Sequence, residues 1–160
     1  MKIADAASEF LAQRRVAVTG VSRQPGNHAA NAVYRRLRDR GYEVYAVNPN
    51  ADEVEGDRSY PDLASIPNGV DAVVIGTAPA HAPATVQECI ELGIGHVWFH
   101  RGPGTGSVNP EAAQLGRDNG LSVIEGGCPC MFGPTADLGH RIMRPILQLS
   151  GNVPRRIERS

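Results

Sequence analysis

The sequence predicts an α/β fold: a Rossmann-like, doubly wound, open parallel sheet of about five strands in three layers. Three observations carry this expectation. Short apolar runs rich in Val, Ile and Ala alternate with helical patterns along the 160 residues, the sign of βαβ units. Aromatic residues make up only 5% of the chain, so its core must be aliphatic, as it is between the helices that cover a parallel sheet. Eighteen Gly and twelve Pro supply many tight turns, short of the roughly 25–30% found in low-complexity chains.

The elements follow in order. Residues 6–14 read as a short leading helix, and Val16-Ala17-Val18-Thr19-Gly20 as a buried strand cut off by a turn. A helix from about Asn27 to Arg40 places Ala30, Val33 and Leu37 on one face, with Gly41 as its stop. Next come a strand at Glu43–Val47, a polar, turn-rich loop over 49–69, and a strand at Ala72–Ile75. A helix over about 82–92 ends at Gly93 and a strand spans His96–His100. Pro110 opens a helix to about Asn119, and Leu121–Ile124 is the fifth strand. Residues 135–149 read as a closing helix that Pro145 would kink or end early. With no internal repeat or linker, residues 1–150 form one domain and 151–160 a flexible tail.

Charge and composition exclude several classes. Sixteen Lys and Arg against seventeen Asp and Glu leave a net charge of −1, which argues against nucleic acid or an anionic membrane as partner. No stretch reaches the roughly 18 apolar residues of a membrane span. Asp5 and Glu9 break the layout of a signal peptide, so a cytoplasmic location is the default. Cys89, Cys128 and Cys130 are three in number and suit a reducing compartment. The run Arg35, Arg36, Arg38, Arg40 scatters around its helix and reads as a solvated surface.

In an open α/β sheet, ligands bind beyond the carboxyl ends of the strands. After the first strand, Gly20-Val21-Ser22-Arg23 with Gly26 forms a glycine turn ahead of a helix N-terminus, a cradle for phosphate or pyrophosphate. Asn27 reads as the helix cap, in competition with a ligand contact, and His28 as a solvated helix residue. After the second strand, Asn48 and Pro49 stand where a nicotinamide-dinucleotide site carries an acidic residue, and they suit a flat wall beside a nucleobase. The first turn also lacks G-x-G-x-x-G. After the third strand, Thr77, Ala78 and Pro79 form a rigid, small-residue surface, with His81 reading as solvent-facing rather than as an acid or base. After the fourth, Arg101 is a candidate charge toward a phosphate or carboxylate. His100 points either into the crevice or into the helix layer. After the fifth, Cys128 and Cys130 read as structural cysteines ahead of reactive ones, and no further metal ligand stands near this C-x-C in sequence. Cys89 lies on the helical pattern of Val86 and Ile90 and reads as packing.

These motifs together resemble the small bacterial and archaeal CoA-binding proteins and, more distantly, the CoA-binding domain of the succinyl-CoA synthetase alpha subunit. The resemblance covers about residues 8–130. It rests on Gly20-x-Ser22-x-x-Pro25-Gly26, Gly41-Tyr42-Glu43-Val44-Tyr45 leading to Val47-Asn48-Pro49, and Ser59-Tyr60-Pro61-Asp62-Leu63 with Ile66-Pro67 and Val70-Asp71. Gly93, Val97-Trp98, the stretch from Asn109 to Gly120, and Cys128 complete it. It implies CoA or acyl-CoA as ligand, with the phosphates near Gly20, Ser22 and Arg23, the adenine by Asn48 and Pro49, and the pantetheine arm past Thr77, Ala78 and Pro79. The chain departs from the family at Asn27, where a Lys is common, and at Gly126 and Gly127, where an Asp-Arg pair is common. Its 102–107 stretch is longer than usual and residues 131–160 run past the usual family end, while Arg101 would restore one charge.

The leading expectation is a CoA-binding module without catalysis of its own, since the synthetase needs a second, phosphohistidine-bearing domain for which 160 residues leave no room. The alternatives are an enzyme acting on a CoA thioester or nucleotide through His100, Arg101 and Cys128, and an NAD(P)-binding redox sensor. Ile142, Met143, Ile146 and Leu147 give the closing helix an apolar face, which serves either a homodimer or the chain's own sheet.

Overall fold

The computed structural model describes residues 1–24, 26 and 28–158. Helix α1 (Ile3–Leu11) leads into β1 (Arg15–Thr19), α2 (Ala29–Asp39) and β2 (Glu43–Val47). The short strands β3 (Glu53–Val54) and β4 (Asp57–Tyr60) follow, then β5 (Ala72–Ile75), α3 (Ala82–Leu92) and β6 (His96–Phe99). The chain continues through α4 (Pro110–Asp118), β7 (Ser122–Glu125) and α5 (Leu138–Leu149). The sheet order is β3-β4-β2-β1-β5-β6-β7, and only the β3–β4 pairing is antiparallel. Leaving out β3, the parallel strands lie in the Rossmann order, and the strand order reverses between β1 and β5.

All five expected strands form, and β3 and β4 are added inside the stretch read as loop. Their turn residues Glu55 and Gly56 both have positive φ, 53° and 78°, as a tight hairpin of the type I′ kind requires. What holds this hairpin is polar, which is why no apolar run announced it. The Glu55 carboxylate accepts from Arg35 Nη1 at 2.7 Å and from Asn31 Nδ2 at 2.8 Å. Asp57 accepts from Tyr34 Oη at 2.7 Å and from Arg38 Nη1 at 2.8 Å. Arg36 pairs with Asp137 at 2.6 Å. The arginine run is therefore no free solvated surface: three of its four members are spent on carboxylates.

Side chains alternate across the strands, as the pleat demands. Val16, Val18, Ala72, Val74, Trp98 and Ile124 pack on the side of α1, α2 and α5. Ala17, Val73, Ile75, Val97, Phe99 and Val123 pack on the side of α3 and α4. Trp98 is fully buried, donates from Nε1 to the Gly126 carbonyl at 3.0 Å, and meets Phe10 edge-on at 5.3 Å, which fixes α1 to the sheet.

The C-terminal segment corrects the expectation of a flexible tail. Val153 and Ile157 are buried in the α1-side core. The Ile157 N–H donates to the Met1 carbonyl at 3.0 Å and the Ile3 N–H to the Arg155 carbonyl at 3.2 Å, so the two ends of the described chain pair. Two apolar side chains spaced by polar ones were enough to dock the segment. Helix α5 starts at Leu138 because Asp137 caps it, accepting the His140 N–H at 2.8 Å, and it continues through Pro145 to Leu149. Leu147 faces the core, whereas Leu138, Ile142, Ile146 and Leu149 are exposed, so that apolar row does not cover the chain's own sheet. Among the described residues no helix is long and apolar enough to cross a membrane.

Candidate ligand crevice

The crevice opens where β1 and β5 part, and two glycines set its floor. Gly20, with φ at 79°, would place a Cβ 2.5 Å from the Gly76 carbonyl oxygen, and Gly76 would place one 2.6 Å from the Thr19 carbonyl oxygen. The glycines are thus demanded by the close passage of two backbones, not by the approach of a ligand. Gly26 has open space around it.

The turn after β1 is held from behind by a residue that sequence reasoning passed over. Asn31, fully buried on α2, accepts the Ser22 N–H on Oδ1 at 2.7 Å and donates from Nδ2 to the Ser22 carbonyl at 2.8 Å. The available signal was an Asn inside the apolar stripe of Ala30, Val33, Tyr34 and Leu37. Ser22 Oγ accepts the Gln24 N–H at 3.0 Å, and Val21 turns fully into the core, so Val21 offers a ligand only its backbone. Asn48 ties the second turn to the first: Nδ2 donates to the Val21 carbonyl at 2.9 Å and Oδ1 accepts the Asn50 N–H at 2.8 Å. Its amide is committed to backbone, and Pro49 beside it is exposed.

Two cavities lie along the strand ends and meet at Thr77. One, of about 430 Å³, is bounded by Gly20 and Ser22, by Asn48 and Pro49, and across from them by Thr85 and Glu88 of α3. The other, of about 380 Å³, is bounded by Thr77, Ala78, His100, Ser107, Cys128 and His140. Between them the N-terminus of α2 faces the crevice: its capping position is His28, which makes no side-chain capping bond, and no acidic residue stands in its first turn. The expected cap, Asn27, lies outside the described residues, as does Pro25. Thr77 Oγ1 is buried with no hydrogen-bond partner among the described residues. Pro79 is positioned by Asn109, whose Nδ2 donates to its carbonyl at 3.0 Å while Oδ1 caps α4.

The charged candidates divide. Arg23 is exposed and pairs with no carboxylate among the described residues. Arg101 is folded onto its own loop, with Nε donating to the Gly104 carbonyl at 2.9 Å, and it bounds neither cavity. Of the crevice-facing charge expected of Arg101, the structure shows Nε held by its own 102–107 loop. His81 is exposed at the rim of the larger cavity.

His100 follows Phe99 by alternation onto the α2 and α5 side, where it is buried and borders the smaller cavity, which joins the two readings left open for it. Burial, then the charge of nearby His140, lowers its pKa to about 4. Cys128 borders the same cavity. Its thiol hydrogen-bonds to Cys130 and is buried, both of which hold it well above the ordinary thiol value, while Cys130, receiving that bond, is held below it. Cys89 lies on the buried face of α3, where burial raises its thiol to about 12. The structure also brings His140 to the two cysteines, a neighbour that sequence distance concealed.

A sheet in this order with a crevice at its switch point defines a Rossmann-like α/β domain. The family model described as a CoA binding domain matches residues 14–134, and the chain belongs to that family. It is 30% identical over 115 residues to the uncharacterized protein YneT of Bacillus subtilis, covering 72% of this chain and 82% of that protein. It is 29% identical over 136 residues to the alpha subunit of ADP-forming acetate-CoA ligase II of Pyrococcus furiosus, covering 81% of this chain but 30% of that subunit. Prb, a protein redesigned for binding, superposes with a TM-score of 0.70 at 29% identity, covering 95% of this chain and 94% of its own. A segment past residue 134 is thus not peculiar to this chain.

Proposed function

We propose that this chain binds CoA or an acyl-CoA along the crevice, as a module without catalysis of its own. The adenine end occupies the larger cavity beside Asn48 and Pro49, and the phosphates meet Arg23 and the Gly20–Ser22 backbone at the α2 N-terminus. The pantetheine arm passes Thr77, Ala78 and Pro79 into the smaller cavity. One observation supports this reading: two cavities that share Thr77 as a wall, on either side of a helix N-terminus with no side-chain cap among the described residues, match a ligand with a nucleotide at one end and a slender arm at the other.

Two observations favour it over the alternatives. Asn48, standing at the strand end where an NAD(P) site carries its ribose-binding carboxylate, spends its amide on the Val21 carbonyl and the Asn50 N–H, and the carboxylates that bound the larger cavity, Asp62 and Glu88, come from other elements. His100 and Cys128 do share a cavity, which is what speaks for an enzyme. Arg101 does not bound that cavity, however, and the Cys128 thiol keeps its proton, a poor state for a nucleophile. Titration calorimetry at low salt tests the proposal: CoA binds one per chain and NAD much more weakly. Absence of heat at millimolar CoA overturns it.

A further inference from the structure

Beyond the nucleotide crevice, the end of β7 and the start of α5 bring together three soft donors. Cys128 and Cys130 flank Pro129, and both sulfurs are buried. One ring nitrogen of His140 joins them, and all three donor atoms lie within 4.8 Å of one another. A tetrahedral cation bound at about 2.0–2.3 Å to sulfur and nitrogen would hold its ligands roughly 3.5–3.8 Å apart.

A second feature, independent of the spacing, prepares the imidazole. Asp137 takes His140 Nδ1 at 2.8 and 2.9 Å from its two oxygens, so Nδ1 carries the proton and the Nε2 lone pair is left for a metal. Arg36 grips the same carboxylate at 2.6 Å, and the carboxylate also caps α5. A carboxylate that orients a ligating histidine in this way is the usual outer partner of a zinc site. The donors also fit one class of ion: thiolate and imidazole select zinc-like cations and reject magnesium and calcium.

We propose that Cys128, Cys130 and His140 bind one zinc-class divalent cation, with the fourth coordination position open to the smaller cavity between His100 and Met143. Binding replaces both thiol protons, which go to solvent, and the two thiolates neutralise the cation's charge. Three protein ligands with one open position make a site able to hold water or a ligand sulfur, unlike a closed structural site. Asp137 acts as a positioning residue.

The test uses the full chain, reduced and stripped with a chelator, and needs no nucleotide ligand. Cobalt(II) is titrated in and then displaced with zinc. One equivalent of cobalt should give the intense visible bands of a tetrahedral site together with an ultraviolet thiolate-to-metal charge-transfer band. His140→Ala, on a partly exposed side chain, and Cys130→Ser should each weaken cobalt binding at least tenfold, and Cys130→Ser should also diminish the charge-transfer band. A weak octahedral spectrum without thiolate charge transfer in the unaltered chain overturns the proposal, whatever the variants do. So does cobalt binding of undiminished strength in a His140→Ala chain whose circular dichroism is unchanged.

Discussion

The Gly126 backbone lies directly beneath Asn152: a Cβ at Gly126 would stand 2.7 Å from the Asn152 carbonyl oxygen, and the same oxygen accepts the Gly127 N–H at 3.0 Å. Val153 covers Gly127 at 3.4 Å from where its Cβ would be. The glycine pair, where the resemblance leads one to expect Asp and Arg, is therefore coupled to the C-terminal segment packed over it. Gly126→Asp restores the family's residue but puts a side chain against that segment, at a φ of 101°. It should cost about 1–3 kcal/mol from backbone strain alone. Urea unfolding measures this, and an unchanged midpoint would show that the segment does not pack there in solution.

Asn31 should control ligand binding without touching ligand. Asn31→Ala leaves the Ser22 N–H and carbonyl without their partners and removes one of the donors to the Glu55 carboxylate. Each buried group so orphaned costs about 1–3 kcal/mol. Stability should fall by at least the lower figure, and CoA affinity should fall with it because the phosphate turn loses its brace. Affinity equal to the parent's in a folded variant would separate the turn from the binding site.

The two crevice arginines should behave differently. Arg23→Ala should leave stability within about 0.5 kcal/mol, since the side chain is exposed and pairs with no carboxylate among the described residues. It should still weaken CoA about tenfold and flatten the salt dependence of binding. Arg101→Ala should hardly change affinity, because that side chain is committed to Gly104. Calorimetry at two salt concentrations decides, and the reverse ranking would move the phosphates toward the fourth strand end.

His100 predicts a specific acid sensitivity. Burial lowers its pKa to about 4, so the folded state favours the neutral ring. Its stabilising effect is full above about pH 6.5, the unfolded value, and is lost as pH falls from there to about 4. The amount at stake is about 3 kcal/mol. Asp137 is held at about 2, first by the His140 N–H and then by its ring, so its contribution is lost only below about pH 4. His100→Gln should abolish the upper slope of stability against pH and leave the lower one. Persistence of the upper slope in that variant would assign it to another group.

Local pattern was enough to reveal the alternation of strands and helices, the three layers and the crevice at the strand ends. The run Ala72–Ile75 forms as read because burial on both faces leaves a continuous apolar signature. The β3–β4 hairpin escaped because its anchors, Glu55 and Asp57, are polar and their partners lie 17 to 24 residues away on α2. Docking of Val153 and Ile157 escaped for the same reason: two isolated apolar residues carry no period.

At the site, residue type and position after each strand named the turns at Gly20, Asn48 and Thr77, because a strand's carboxyl end fixes where its next residues emerge. Which atoms remain free there was settled only by packing. Asn48 and Arg101 are chemically able to bind a ligand, yet neighbouring backbone groups claim them first. The sequence by itself determined the chain's class, since periodicity and turn chemistry are local properties. Tertiary structure alone decided that Asn31 braces the turn after β1, that Gly126 makes room for Asn152, and that His140 meets Cys128 and Cys130. Each of these is a contact between segments whose approach depends on the whole sheet being assembled.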